Sequence, residues 1–141
     1  MNIILLAPPA AGKGTQAKFL ENEYHLNHLS TGDLLRQVAR EDSELGQKVK
    51  ETLSNGNLVS DEIIFQLIDH YMAETKNHQF LFDGFPRNIL QAQTLDDILS
   101  ERCEKIDAVF LLDVTEECLK KRITGRRPCK NCGGIHNVTE P

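Results

Sequence analysis

The chain has 141 residues, of which 40% are hydrophobic and 26% charged, with a formal net charge of −5. That composition is ordinary for one globular domain and excludes collagen-like, mucin-like and bulk-disordered chains. The longest strongly apolar runs, Ile3 to Ala7 and Ala108 to Leu112, fall far short of the roughly 20 residues of a membrane span, and the acidic balance argues against a general nucleic-acid binder.

Asn2 to Leu6 reads as a short buried strand that stops at Pro8-Pro9. A helix is expected from about Gly12–Thr15 to Tyr24, with Ala17, Leu20 and Tyr24 on one face, then a strand over Asn27 to Leu29. Ser30-Thr31-Gly32-Asp33 leads into a helix carrying Leu34, Leu35 and Val38, and Leu45, Val49 and Leu53 mark the next one, which Asn55-Gly56-Asn57 ends as a turn. Ser60-Asp61-Glu62 opens the clearest helix, on which Ile63, Ile64, Leu67, Ile68, Tyr71 and Met72 keep the helical period, with Ser60 as N-cap and acids in the first turn. Phe80-Leu81-Phe82 is a strand ending at Asp83-Gly84. Asn88 to about Glu101 is a helix with Ile89, Leu95, Ile98 and Leu99 inward. Ala108 to Val114 is an apolar strand, and Thr115 caps a helix to about Thr124. After Gly125 the period is lost, and Arg-Arg-Pro-Cys-Lys-Asn-Cys-Gly-Gly reads as a loop or a small metal knuckle.

Strands alternating with amphipathic helices predict an α/β fold with a parallel sheet and right-handed crossovers. Four strands are expected. The chain reaches Pro141 without a closing element and reads as part of something longer. The N-terminus has no basic stretch ahead of its apolar run, so a secretory leader is not expected. The four cysteines, at 103, 118, 129 and 132, therefore point to a cytoplasmic protein rather than a disulfide framework. Charge is uneven: Lys120, Lys121, Arg122, Arg126, Arg127 and Lys130 are six of sixteen basic residues within eleven positions. Such a run is either a solvated helix face or a local site for a polyanion.

Two motifs carry chemistry. Ala7-Pro8-Pro9-Ala10-Ala11-Gly12-Lys13-Gly14-Thr15 follows a strand and opens a helix, the context of a phosphate-binding loop. Backbone N–H groups at a helix N-terminus suit phosphates, Lys13 would reach the β- and γ-phosphates, and Thr15 would lie near them and their magnesium ion. The general pattern asks for Gly where Ala7 stands and for Ser or Thr directly after the lysine, where Gly14 stands. Asp83-Gly84-Phe85-Pro86-Arg87 follows the Phe80 strand. Ligands of open α/β sheets bind beyond the carboxyl ends of strands, so Asp83 and Arg87 are expected at the same sheet edge as Lys13. A carboxylate there suits a magnesium hydration shell and an arginine fork suits a phosphate. A plain surface turn is the alternative.

Taken together, these segments resemble the adenylate kinase family, in its bacterial long form, from Met1 to Val138. Gly12-Lys13-Gly14-Thr15-Gln16 resembles that family's phosphate loop, the glycine after the lysine included. Ser30-Thr31-Gly32-Asp33 with Arg36 resembles its monophosphate segment, and Asp83-Gly84-Phe85-Pro86-Arg87 with Gln91 its signature. Arg122 and Gly125-Arg126-Arg127 resemble the entry to its lid, and Cys129-Lys130-Asn131-Cys132-Gly133 the first half of a lid zinc site.

The resemblance implies a P-loop core at 1–29 and 60–124, a helical monophosphate-binding insert at 30–59, and the start of a lid at 125–141. It implies the reaction ATP + AMP = 2 ADP with magnesium, in a monomer. Lys13 and the amides of Ala10, Ala11, Gly12, Gly14 and Thr15 would hold ATP, with Ile135 and His136 near its adenine. Arg87, Arg122 and Arg126 would steady the transferring group, and Asp83 would order the magnesium shell. Arg36 and Arg87 would grip the AMP phosphate. Thr31, Asn57, Leu58, Val59, Gln91 and the Gly84-Phe85-Pro86 turn would complete the AMP site. A structural zinc is implied for a full-length chain, with Cys129 and Cys132 as two of its four ligands. A lone CxxC is otherwise a redox motif, while Cys103 and Cys118 read as packing residues. Ala7 and Ala10 stand where the family usually has glycine; a positive φ at either would cost on the order of 1 kcal/mol. His136 stands where the lid usually has Tyr. Two alternatives stay open: a kinase for UMP or CMP, and a nucleotide-binding fragment without turnover.

Overall fold

The computed structural model describes residues 1–130 and 135–138. Strand β1 (Asn2–Leu6) leads through the glycine-bearing loop to α1 (Lys13–Tyr24) and then β2 (Asn27–Ser30). Helices α2 (Thr31–Val38), α3 (Glu44–Ser54) and α4 (Asp61–Glu74) follow, then β3 (Phe80–Asp83) and α5 (Ile89–Glu101). The chain continues through β4 (Ala108–Leu111) and α6 (Glu116–Gly125) to a short pair, β5 (Arg126–Pro128) and β6 (Ile135–Asn137).

Four strands form one parallel sheet in the order β2-β3-β1-β4. β1 and β3 are central and carry near-continuous apolar sequence, as strands covered on both faces must. The two-residue strand period sorts them. Ile4, Phe80 and Phe82 pack with Ile68, Met72, Leu95 and Leu99 of α4 and α5, whereas Ile3, Leu5 and Leu81 pack with Ala17 of α1. Val38, Val49 and Val59 form a third cluster that binds α2 and α3 to the first turns of α4. Asn2 pins the start of the sheet. Its Oδ1 accepts from the Phe80 amide at 3.0 Å, and its Nδ2 donates to Glu104 Oε2 and the Lys105 carbonyl.

Sequence periodicity misplaces several side chains. Tyr24 and Ile89 are exposed because they are terminal residues of α1 and α5, beyond the turns that meet the sheet through Ala17, Leu95 and Leu99. On α3 only Val49 of the expected triplet is buried. Ser60 and Thr115 precede α4 and α6 without a side-chain capping bond, although acids fill both first turns. Ser30, Ser43 and Asn88 do cap, accepting from the amides of Asp33, Gly46 and Gln91. Cys103 lies in the turn after α5, exposed, with φ 57°. The segment after Gly125 is not wholly irregular: β5 and β6 pair antiparallel, with Arg126 opposite Asn137 and Arg127 opposite His136.

Candidate functional site

The carboxyl ends of β1 and β3 are neighbours, and the two motifs meet there. Leu5 is in register with Asp83, the last residue of β3. The loop after β1 turns at Ala10 (φ 65°) and at Gly12 (φ 92°), whose carbonyl accepts from the amides of Thr15 and Gln16. Gly12 cannot cap α1 with a side chain, and α1 has no acid in its first turn. Each of the other five helices has one or both of these features. The positive end of the α1 dipole is therefore offset by neither an acidic residue in the first turn nor a side-chain cap.

Lys13, the first residue of α1, places Nζ 2.7 Å from Asp83 Oδ1. The other carboxylate oxygen, Oδ2, is 3.0 Å from His28 Nε2, and His28 Nδ1 lies 3.8 Å from Glu21. Asp83 is thus a buried carboxylate gripped by two bases. Burial works to raise its pKa, but the hydrogen bonds and charges of His28 and Lys13 outweigh burial and hold it below the usual carboxylate value. The hydrogen bond to Asp83 raises the pKa of His28 against the opposing effect of burial, helped by the charges of Asp83, Glu21 and Asp33.

Gly84 makes the turn that follows. Its φ is 78°, and a Cβ there would lie 3.3 Å from Thr31 Oγ1, 3.4 Å from Arg87 Nη2 and 3.8 Å from Lys13 Nζ. Glycine therefore lets three polar side chains converge on one backbone position. Arg87 Nε donates to the Gly84 carbonyl at 2.7 Å, and Thr31 Oγ1 donates to the same oxygen at 3.4 Å. Phe85 is fully buried and joined to Pro86 by a cis peptide bond. Gln91, 5% exposed, accepts from the Arg87 amide through Oε1 and donates to Asp61 Oδ1 through Nε2, both at 2.7 Å. From α6, Arg122 Nη1 reaches the Ala11 carbonyl at 3.3 Å, which brings the basic run to the phosphate loop.

Other expected residues stand further out. Arg36 is exposed and paired with Asp33 Oδ1 at 2.5 Å, which lowers the Asp33 pKa first through that hydrogen bond. In the turn before α4, Val59 is buried and Leu58 is 88% exposed, while the Asn57 amide bonds the Thr52 carbonyl. Gly14 has open space where a Cβ would point. Arg126 and His136 are exposed on the β5–β6 pair, where Ile135 faces Pro128 in the backbone register. Cys129 is half-buried, and Cys132 lies outside the described residues. Among the described residues, no three His, Cys, Asp or Glu side chains are grouped to hold a metal ion, and no helix is long and apolar enough to cross a membrane.

Comparison with known proteins gives the family of the chain. The family model described as adenylate kinase matches residues 5–138. The chain belongs to the adenylate kinase family. It is 46% identical to the adenylate kinase of Caldicellulosiruptor bescii, 45% to that of Archaeoglobus fulgidus and 43% to that of Clostridium perfringens, each over 139 residues. Those alignments cover 98% of this chain and 64–65% of each relative, so the chain spans just under two thirds of the length of the curated relatives it matches. The family match spans both motif segments. It leaves His28 and Asp61 to be found by structure, because their partners lie on elements whose adjacency no local pattern encodes. The available sequence signal was a histidine on a strand ahead of the Ser30 turn, with an Asp ending another strand.

Proposed function

We propose that this chain carries the nucleotide sites of a nucleoside monophosphate kinase, catalysing ATP + AMP = 2 ADP. The observation that supports it best is Lys13 against Asp83 beside the single described helix start that has neither acid nor side-chain cap. In that reading Lys13 exchanges Asp83 for the donor phosphates, joined by the amides from Ala10 to Thr15. Asp83 keeps its charge through the exchange because His28 still holds its other oxygen. A carboxylate with lone pairs to spare, flanked by phosphate donors, fits the water shell of a hard cation. Magnesium bound with ATP would supply charge neutralisation there.

Phosphoryl transfer needs alignment, charge stabilisation and exclusion of water, and no nucleophile from the protein. Arg122 is supported in this role by its contact with the phosphate loop, and Arg87 by its place on the Gly84 turn. Arg126 would join them from the lid, with His136 near the ATP base. Arg36 would leave Asp33 to meet the AMP phosphate, and Thr31, Val59 and Gln91 would border the AMP base. The insert at 30–59 and the lid from 125 would close over both nucleotides. The Cys129 and Cys132 pair offers two of the four ligands of a structural zinc, so a complete site would need two more.

ADP formation from Mg-ATP with AMP, CMP or UMP tests the reading, with Lys13→Ala as the control. Turnover with AMP alone, absent in the control, is expected. Equal turnover with CMP or UMP would favour a pyrimidine kinase. Nucleotide binding without turnover would identify a binding fragment.

A further inference from the structure

The Gln91 amide has an orientation that its neighbours dictate. A backbone N–H can only donate, so the Gln91 atom facing the Arg87 amide must be oxygen. An ionised carboxylate can only accept, so the atom facing Asp61 must be nitrogen. The side chain is buried, and its backbone is fixed as well, since the Gln91 amide donates to Asn88 Oδ1 at 2.8 Å. Turning the amide over would set two donors against each other at Arg87 and two acceptors against each other at Asp61, in a partly buried setting where such clashes are costly. One lone pair on Oε1 and one hydrogen on Nε2 remain unused by this clasp.

We propose that Asp61 is a positioning residue that locks the Gln91 amide and thereby makes the monophosphate site prefer a 6-aminopurine over a 6-oxopurine. The proposal rests on the reading of Gln91 as a contact of the acceptor base. A 6-aminopurine presents a donor at its exocyclic nitrogen and an acceptor at N1, which match the remaining lone pair and hydrogen of the locked amide. A 6-oxopurine presents an acceptor and an N1–H donor, which match only the reversed amide. Asp61 touches no nucleotide in this scheme. It acts through Gln91 from the first turn of α4, whereas Gln91 is in the first turn of α5.

The test is the ratio of AMP to IMP affinity, measured by calorimetry on the 141-residue chain and two variants. Asp61→Ala should reduce the ratio about tenfold, the worth of one hydrogen bond to a charged group. Asp61→Asn, whose Oδ1 still accepts from Gln91 Nε2, should keep most of it. A generally loosened structure would weaken both nucleotides together and leave the ratio alone. An unchanged ratio in Asp61→Ala, with AMP still preferred, would overturn the lock and leave the acceptor-site reading intact. Equal wild-type affinity for the two nucleotides would overturn the lock alone. Wild-type binding of neither would remove the site reading and the lock with it. Hydrogen exchange at the Gln91 side-chain amide of the wild type gives a readout that needs no variant. Protection is expected, and exchange at the rate of a free amide would overturn the lock.

Discussion

The two edges of the sheet differ sharply. On one side β3 is buried throughout and β2 buries Leu29 with residues of α4 and α5, with Phe80, Phe82 and Phe85 among the most deeply buried side chains. On the other side β4 pairs only with β1 among the described residues, and Val109, Phe110 and Leu111 are 55%, 47% and 69% exposed. The phosphate loop straddles the boundary: Lys13 and Asp83 belong to the packed half, while Arg122 arrives from α6 beyond β4. The Lys13–Asp83 pair, which the proposed function assigns to the nucleotide site, therefore sits beside the packed core.

The difference between the two edges is largest in the core. Phe82→Ala should cost about 3–5 kcal/mol in urea unfolding, whereas Phe110→Ala should change stability by less than about 1 kcal/mol. Equal losses would mean that the β4 side is as well packed as the β3 side. Next comes Lys13→Ala, expected to weaken ATP binding by about 10- to 100-fold, the worth of one charge-assisted hydrogen bond. Its melting temperature should move little because His28 still partners Asp83, and calorimetry beside thermal unfolding separates the two effects.

A smaller effect follows from His28. Its raised pKa means that its contribution to stability is full below about pH 6.5, the unfolded value, and is lost as pH rises through the folded value. Asp83, with its pKa lowered, contributes above its unfolded value near 3.8 and loses this as pH falls through the folded value. His28→Gln should therefore cost about 1 kcal/mol at pH 5.5, and the deficit should shrink by pH 8.5. A pH-independent deficit would mean that only packing is lost. The smallest change is Ala10→Gly, which relieves a left-handed alanine in the loop. It should stabilise the chain, or tighten ATP binding, by up to about 1 kcal/mol. Ala7→Gly should give no such gain, since Ala7 is not among the positive-φ residues.

Much of this architecture was legible in the sequence. Strand positions, the alternation of strands with helices, and the placement of Lys13 at a helix start and Asp83 at a strand end followed from apolar runs and turn residues. The resemblance to the adenylate kinase family, carried by Gly12-Lys13-Gly14-Thr15 and Asp83-Gly84-Phe85-Pro86-Arg87, agrees with the family match over residues 5–138. Less legible were the helix ends, where Tyr24 and Ile89 keep the apolar period yet face solvent. Periodicity reports which side of a helix is apolar and says nothing of how far along its axis the sheet extends. The β5–β6 pairing was hidden for a related reason, because three-residue strands carry too few positions to show a period.

By itself the sequence determined the local chemistry: a glycine-bearing loop at a helix start, a lysine within it, and an Asp-Gly turn after a strand. These depend on backbone preferences and on neighbours in the chain. Only the tertiary structure decided the partnerships. The strand order β2-β3-β1-β4 sets His28 and Lys13 on either oxygen of Asp83, and the approach of α4 to α5 sets Asp61 on Gln91. Those contacts join residues 30 to 70 positions apart, and what brings them together is burial of the apolar faces of β1, β3, α4 and α5. The polar groups are carried into place by a core in which they have little part.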